Sequence, residues 1–201
     1  MAAAAGLVAV NLGVILASGP AEGTGFRALP EATTRTEISR PGTGQQGAPI
    51  ADLPGRPEDT SRVREFPDVA ELDYLTEPEV GAYRDGRPST ARMALHRDGR
   101  SSIIVLIVRM DGASAADAVR DRVHFIQRVF GLTATAEPEP GVLTSSTDAA
   151  PGRRPLLRRA HFTAGSQVVR VEVSGTEPTD VDDTFSAVLR DELAVLPADG
   201  T

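Results

Sequence analysis

Six aliphatic residues in a row, Ile103-Ile104-Val105-Leu106-Ile107-Val108, constrain this chain more than any other stretch. All but Leu106 are β-branched, and turn signals bound the run. A run this short and this apolar predicts a strand buried on both faces, in the interior of a sheet. Burying one such side chain is worth roughly 1.5–3 kcal/mol as an upper estimate. Leaving three of them bare on one face would forfeit about 5–9 kcal/mol, comparable with the whole net stability of a domain at about 5–15. Both faces therefore need cover. The candidates for the second face are the segment Phe66–Leu75, a second copy of the chain, or another protein.

The neighbours of this strand follow from turn chemistry. Arg84-Asp85-Gly86-Arg87 and Arg97-Asp98-Gly99-Arg100 are identical. Asp-Gly favours a two-residue hairpin, because the turn needs positive φ at both central positions. The pattern predicts a weak strand over 79–84, a second over 88–97 and a third over 101–109. Upstream, Val69, Leu72 and Leu75 recur at spacing three behind Pro67, predicting a short helix that Pro78 ends. Downstream, Ser114 with Asp117 resembles a capping box. Val119, Val123, Ile126 and Phe130 then form an amphipathic stripe, closed by Gly131 as a left-handed cap. A short strand is predicted over 141–146.

The arrangement recurs. Residues 157–164 and 167–174 alternate around Gly165-Ser166, with Arg159, His161, Thr163, Arg170 and Glu172 on the polar face. A helix follows, capped by Thr179 and stopped by Pro197, with Val181, Phe185, Val188, Leu189, Leu193 and Leu196 on its apolar stripe. A half-polar return strand can face water, which the 103–108 run cannot. These elements predict an α+β fold: an antiparallel sheet of about five or six strands with a twice-occurring β-hairpin–helix unit.

The start of the chain differs. No charge occurs before Glu22, so residues 1–19 offer roughly 18 apolar positions, the lower limit for crossing a bilayer. A cleaved signal segment competes with an uncleaved transmembrane anchor. Pro20 directly behind Ala17-Ser18-Gly19 disfavours cleavage, so the anchor is preferred. The missing basic flank is read as a start inside a longer frame. Residues 20–62 are rich in Pro and Gly and poor in large apolar groups, predicting a disordered tether spanning roughly 35–40 Å. The folded domain is then 63–201. Arg27 and Arg35 alone would hold it inside by charge. An anchor, a tether and an acidic domain together favour an extracytoplasmic domain on a single-pass protein of the cell membrane. The membrane is then one partner, through the N-terminal segment, and a protein partner or homodimer another.

Composition excludes several chemistries. There is no cysteine, which removes disulfides, thiolate metal sites and thiol nucleophiles. Net charge is −7 and aromatics are 4%, both against nucleic acid. All basic residues are arginine, as in a high-GC coding bias. His124 lacks a second histidine at helical spacing, while His96 and His161 stand on comparable hairpins and could converge. No Gly-x-Ser-x-Gly occurs, and Ser101, Ser102, Ser145 and Ser146 read as ordinary loop or strand residues. Gly42-x-Gly44-x-x-Gly47 lies in the tether, where it has no strand before it and no helix after it. Glu177, Asp180, Asp182 and Asp183 complement a helix N-terminus. No motif implies a cofactor or a catalytic residue. Arg153, Arg154, Arg158 and Arg159 form the densest basic cluster, a candidate contact for an anion or an acidic partner. Three functions follow: a non-enzymatic membrane-tethered domain acting by protein or envelope contacts, a small-molecule or lipid-binding domain, or a cofactor-independent hydrolase using His96 or His161.

Overall fold

The structure, a computed structural model, describes residues 48–99, 101–147 and 155–200. Its centre is a seven-stranded antiparallel sheet. In chain order the strands are β1 (Arg56–Pro57), β2 (Ala91–Asp98), β3 (Ser101–Arg109), β4 (Thr133–Ala134), β5 (Leu143–Ser146), β6 (Leu156–Ala164) and β7 (Gln167–Gly175). They lie in the order β1-β2-β3-β7-β6-β5-β4. The helices are α1 (Phe66–Ala70), α2 (Glu77–Asp85), α3 (Ala113–Val129) and α4 (Pro178–Val195). The 103–108 run is the body of β3, and every one of its side chains is buried. Asp98 pairs with Ser101 across the second Asp-Gly turn, where Gly99 has φ +56. Asp98 thus ends β2 instead of taking a central position of the turn, and of the Asp-Gly pair only the glycine has positive φ.

Two hairpin–helix units are present, β2-β3-α3 and β6-β7-α4, and they abut through β3 and β7. Their helices cover opposite faces of the shared sheet. α4 packs on β6 and β7, and the core beneath it joins Phe162, Val169, Val171 and Val173 to Ile103, Val105 and Ile107 of β3. Ala48, Ile50 and Leu53 join that same core. The other face carries Met93, Leu95, Ile104, Leu106 and Val108, in register across β2 and β3. Its cover is α1, which packs on β2, together with α2 and α3, which pack on each other, α3 reaching β5, β6 and β7. Phe66 of α1 stacks on Tyr83 of α2 with ring centroids 5.2 Å apart. The second face of β3 is thus closed from within the chain, by a layer that includes the start of the Phe66–Leu75 segment.

Several expectations are corrected. The sheet has seven strands rather than five or six, because β1 and β4 are two-residue edge strands with no alternation to read. The stretch 79–84 is helix α2, and the first Asp-Gly closes that helix rather than a hairpin. Thr76 and Glu79 form its capping box, and Pro78 sits in its first turn rather than ending an earlier helix. The N-caps of α3 and α4 are Gly112 and Glu177, two residues before Ser114 and Thr179. β7 does not face water: it is buried from Val168 through Val173, Arg170 and Glu172 included.

The expected transmembrane helix, single-pass membrane location and membrane contact are overturned as well. Among the described residues no helix is long and apolar enough to cross a membrane. The longest, α4, carries Asp180, Asp182, Asp183, Arg190, Asp191 and Glu192 within its length. Residues 1–19, on which that expectation was placed, lie outside the described residues, as does most of 20–62. The part of 20–62 that is described packs on the domain: Arg56 and Pro57 pair with Arg97 and His96 at the edge of β2.

Candidate functional site

Cross-strand register gathers the polar residues of β6 and β7 on one face. His161 lies opposite Arg170, and Arg159 opposite Glu172. That face looks into the layer formed by α2 and α3, where Glu79 and Gln127 meet it. The result is a charged quartet, Glu79, Glu172 and Arg170 buried and Arg159 at its partly exposed edge, with formal charges that cancel.

Its bonds are specific. Arg170 Nη1 donates to Glu79 Oε1 at 3.0 Å, and Arg170 Nη2 to Glu172 Oε2 at 3.0 Å. Arg159 Nε donates to the same Glu172 oxygen at 2.8 Å, and so does the Tyr74 hydroxyl at 3.1 Å. The guanidinium of Arg170 sits 4.7 Å from the centroid of the Tyr74 ring, within cation–π range. Glu79 Oε2 accepts from the backbone N–H and the hydroxyl of Thr76 at 2.9 and 3.0 Å. One carboxylate therefore caps α2 and neutralises a buried arginine of β7.

Gln127 ties α3 to this group. Its Nε2 donates to Glu79 Oε1 at 3.1 Å, and its Oε1 accepts from the Ser145 hydroxyl at 3.1 Å. These two bonds set the orientation of the amide. Its Nε2 also lies 3.3 Å from His161 Nε2, which must then accept, so the imidazole proton resides on Nδ1. Tyr83 Oη, His161 Nδ1 and Arg170 Nε are buried without a hydrogen bond.

Burial alone would raise the pKa of Glu79, but Arg170 and Arg159 outweigh it and bring it down to about 2. Glu172 is lowered in the same way: burial raises it, and Arg159 and Arg170 more than compensate. His161 is pushed well below its usual value, by burial first and then by Arg170 and Arg159. Burial also raises Tyr74 and Tyr83. The network therefore holds two carboxylates, two guanidiniums and a neutral imidazole at neutral pH.

Of the basic cluster, Arg158 and Arg159 are described, while Arg153 and Arg154 lie outside the described residues. Arg158 pairs with Asp182 of α4 at 2.6 Å, and Arg159 with Glu172 at 2.6 Å. They leave the sheet on opposite faces, since they are adjacent in one strand. His96 and His161 do not converge: His96 is in register with Ile103 on the α4 face, and His161 with Arg170 on the other. Ser145 is buried and bonded to Gln127. Among the described residues no group of three or more His, Asp or Glu side chains could hold a metal ion. A surface groove of about 330 Å³ beside β2 is lined by Glu58, Asp59, Thr60, Ser61, Val63, Arg92 and Met93. Sequence reading missed Glu79 and Gln127. The Thr76-x-x-Glu79 capping box was the available signal for the first, and nothing local marks the second.

No protein-family model and no curated protein matches the chain. Among solved structures it is similar to the extracellular domain of PknH from Mycobacterium tuberculosis. That similarity has 15% identity over 74% of this chain and 83% of the other, with a TM-score of 0.43. At those values the likeness assigns neither an activity nor a partner to this chain.

Proposed function

We propose that the described domain is a non-enzymatic interaction module that acts through its surface. The observation that carries this reading is the closure of the charged quartet. It is the densest gathering of reactive groups in the described structure, and each of its carboxylates is already occupied by arginine under α2 and α3. Groups in that state position helices on a sheet; they do not meet a substrate. The hydrolase reading rested on His96 or His161; His161 is fully buried, and His96 lies beside the carbonyl of Pro54 on the opposite face. Cross-linking of the full chain in its native cells, followed by purification under denaturing conditions, tests the proposal. A stoichiometric adduct with a second polypeptide, of the same or another sequence, is expected. A chain that stays monomeric with short and long cross-linkers alike refutes it.

A further inference from the structure

The α4 face of the sheet is covered in two different ways. Over β6 and β7 the cover is α4 itself. Over β2 and β3 it is residues 48–54, a strap without regular secondary structure. Among the described residues, 48–55 make no backbone–backbone hydrogen bond to any strand. Side chains hold the strap's main chain instead. Arg92 Nη1 donates to the carbonyl of Ala48. Glu192 Oε2 accepts from the N–H of Ala51 at 2.9 Å. His96 Nδ1 lies 3.2 Å from the carbonyl of Pro54. Between these anchors Ile50 and Leu53, three residues apart, pack against the core that contains Ile103, Val105 and Ile107.

Peptide recognition combines hydrogen bonds to the peptide's main chain with apolar seats for its side chains, and the strap is held by both kinds of contact. Glu192 strengthens the comparison. It is fully buried, yet only one of its oxygens is bonded, and Oε1 has no partner. A buried half-satisfied carboxylate is expensive in a fold, and here it faces the strap. Pro49 and Pro54 have no N–H to add to the strap's own attachment. Ile50 and Leu53 are only partly buried and Pro49, Asp52 and Pro54 are exposed, whereas Ile103, Val105 and Ile107 of the core are buried.

We propose that the apolar sheet face under this strap is a peptide-binding site, filled in cis by residues 48–54, which accepts in trans a partner segment presenting two branched aliphatic side chains three residues apart. The inference rests on the interaction-module reading and names its docking site. Attachment in cis gives the strap an effective concentration in the millimolar range, so an added peptide competes only when the strap is weakened.

The test uses the full chain and a fluorescein-labelled peptide of residues 48–54, read by fluorescence anisotropy. Carrying Ile50→Asp and Leu53→Asp, the chain should bind the peptide at least tenfold more tightly than the unaltered chain. Adding Glu192→Ala should return the affinity to the unaltered level. Equal binding by both chains, or none by a folded variant, overturns the site. Should the variant not fold, hydrogen exchange on the unaltered chain decides. The Ala51 amide should exchange at least a hundredfold faster than those of Val105 and Val171. Exchange of all three at one rate would mean that the strap opens only on global unfolding, and the site falls. Neither result touches the cross-linking outcome, so failure of the groove and failure of the interaction reading are separable.

Discussion

Gly86 and Arg87 show how single positions decide the packing of α2. Gly86 closes the helix with φ −79, a conformation open to any residue. Its need for glycine is steric, since a Cβ there would lie 2.5 Å from Val119 Cγ2 and 3.0 Å from Met110 Sδ. Arg87 is the residue that adopts φ +51, where glycine is usual. Gly86→Ala should therefore lower stability by about 1–3 kcal/mol, and Arg87→Gly should leave it unchanged or raise it by up to about 1 kcal/mol. The exposed Arg87–Asp111 pair lost in the second variant is worth little. Urea denaturation of both variants checks the pair of signs. Glu79→Ala is expected to be far more severe, at about 3–5 kcal/mol, because it leaves Arg170 and Arg159 sharing the one remaining buried carboxylate, Glu172. The Asp-Gly motif at 85–86 looked like a hairpin because its letters match the one at 98–99. What separates them is the capping box upstream, not the turn itself.

At the scale of elements, α3 is docked to the sheet by a neutral His161. Its folded-state pKa lies below 6.5 and its unfolded value near 6.5, so below that pH the unfolded chain takes up a proton that the folded chain refuses. Stability then falls with decreasing pH, by up to about 1.4 kcal/mol per unit for this one group. His124, also lowered by burial and by Arg128, acts in the same direction. Glu79 adds a second loss at lower pH: its folded pKa of about 2 lies under the ordinary 4.5, so its contribution is complete above 4.5 and fades as pH falls toward 2. His161→Gln should flatten the decline between pH 6.5 and 5, measured by thermal melts across that range. An unchanged slope would show that His161 is not the group responsible. Glu192 has the opposite sign. Burial raises its pKa, so its charge weakens the fold as pH rises through that value. Glu192→Gln keeps an acceptor for the Ala51 amide and should stabilise the protein by about 1 kcal/mol at pH 7.

The described domain is one sheet with a layer on each face, and both of its edges are blunted. β1 and β4 are two residues each, and β1 contains Pro57, which cannot donate to a further strand. Because β3 and β7 serve both layers, the domain should unfold in one cooperative step. The chain has no tryptophan and two tyrosines, and both, Tyr74 and Tyr83, belong to the α1–α2 side. Tyrosine fluorescence therefore reports that layer alone, while far-UV circular dichroism reports all of them. Coincident transitions in urea are expected; an earlier tyrosine transition would show that the α1–α2 layer opens first. The apolar pattern by itself determined the central strand, the second hairpin and the two long helices, because alternation, turn glycines and amphipathic stripes are local properties of the chain. Only the tertiary structure decided that Arg159, His161, Arg170 and Glu172 point inward. A polar strand face is outward by default, and it becomes interior only when distant residues such as Glu79 and Gln127 arrive to complete its charges and hydrogen bonds.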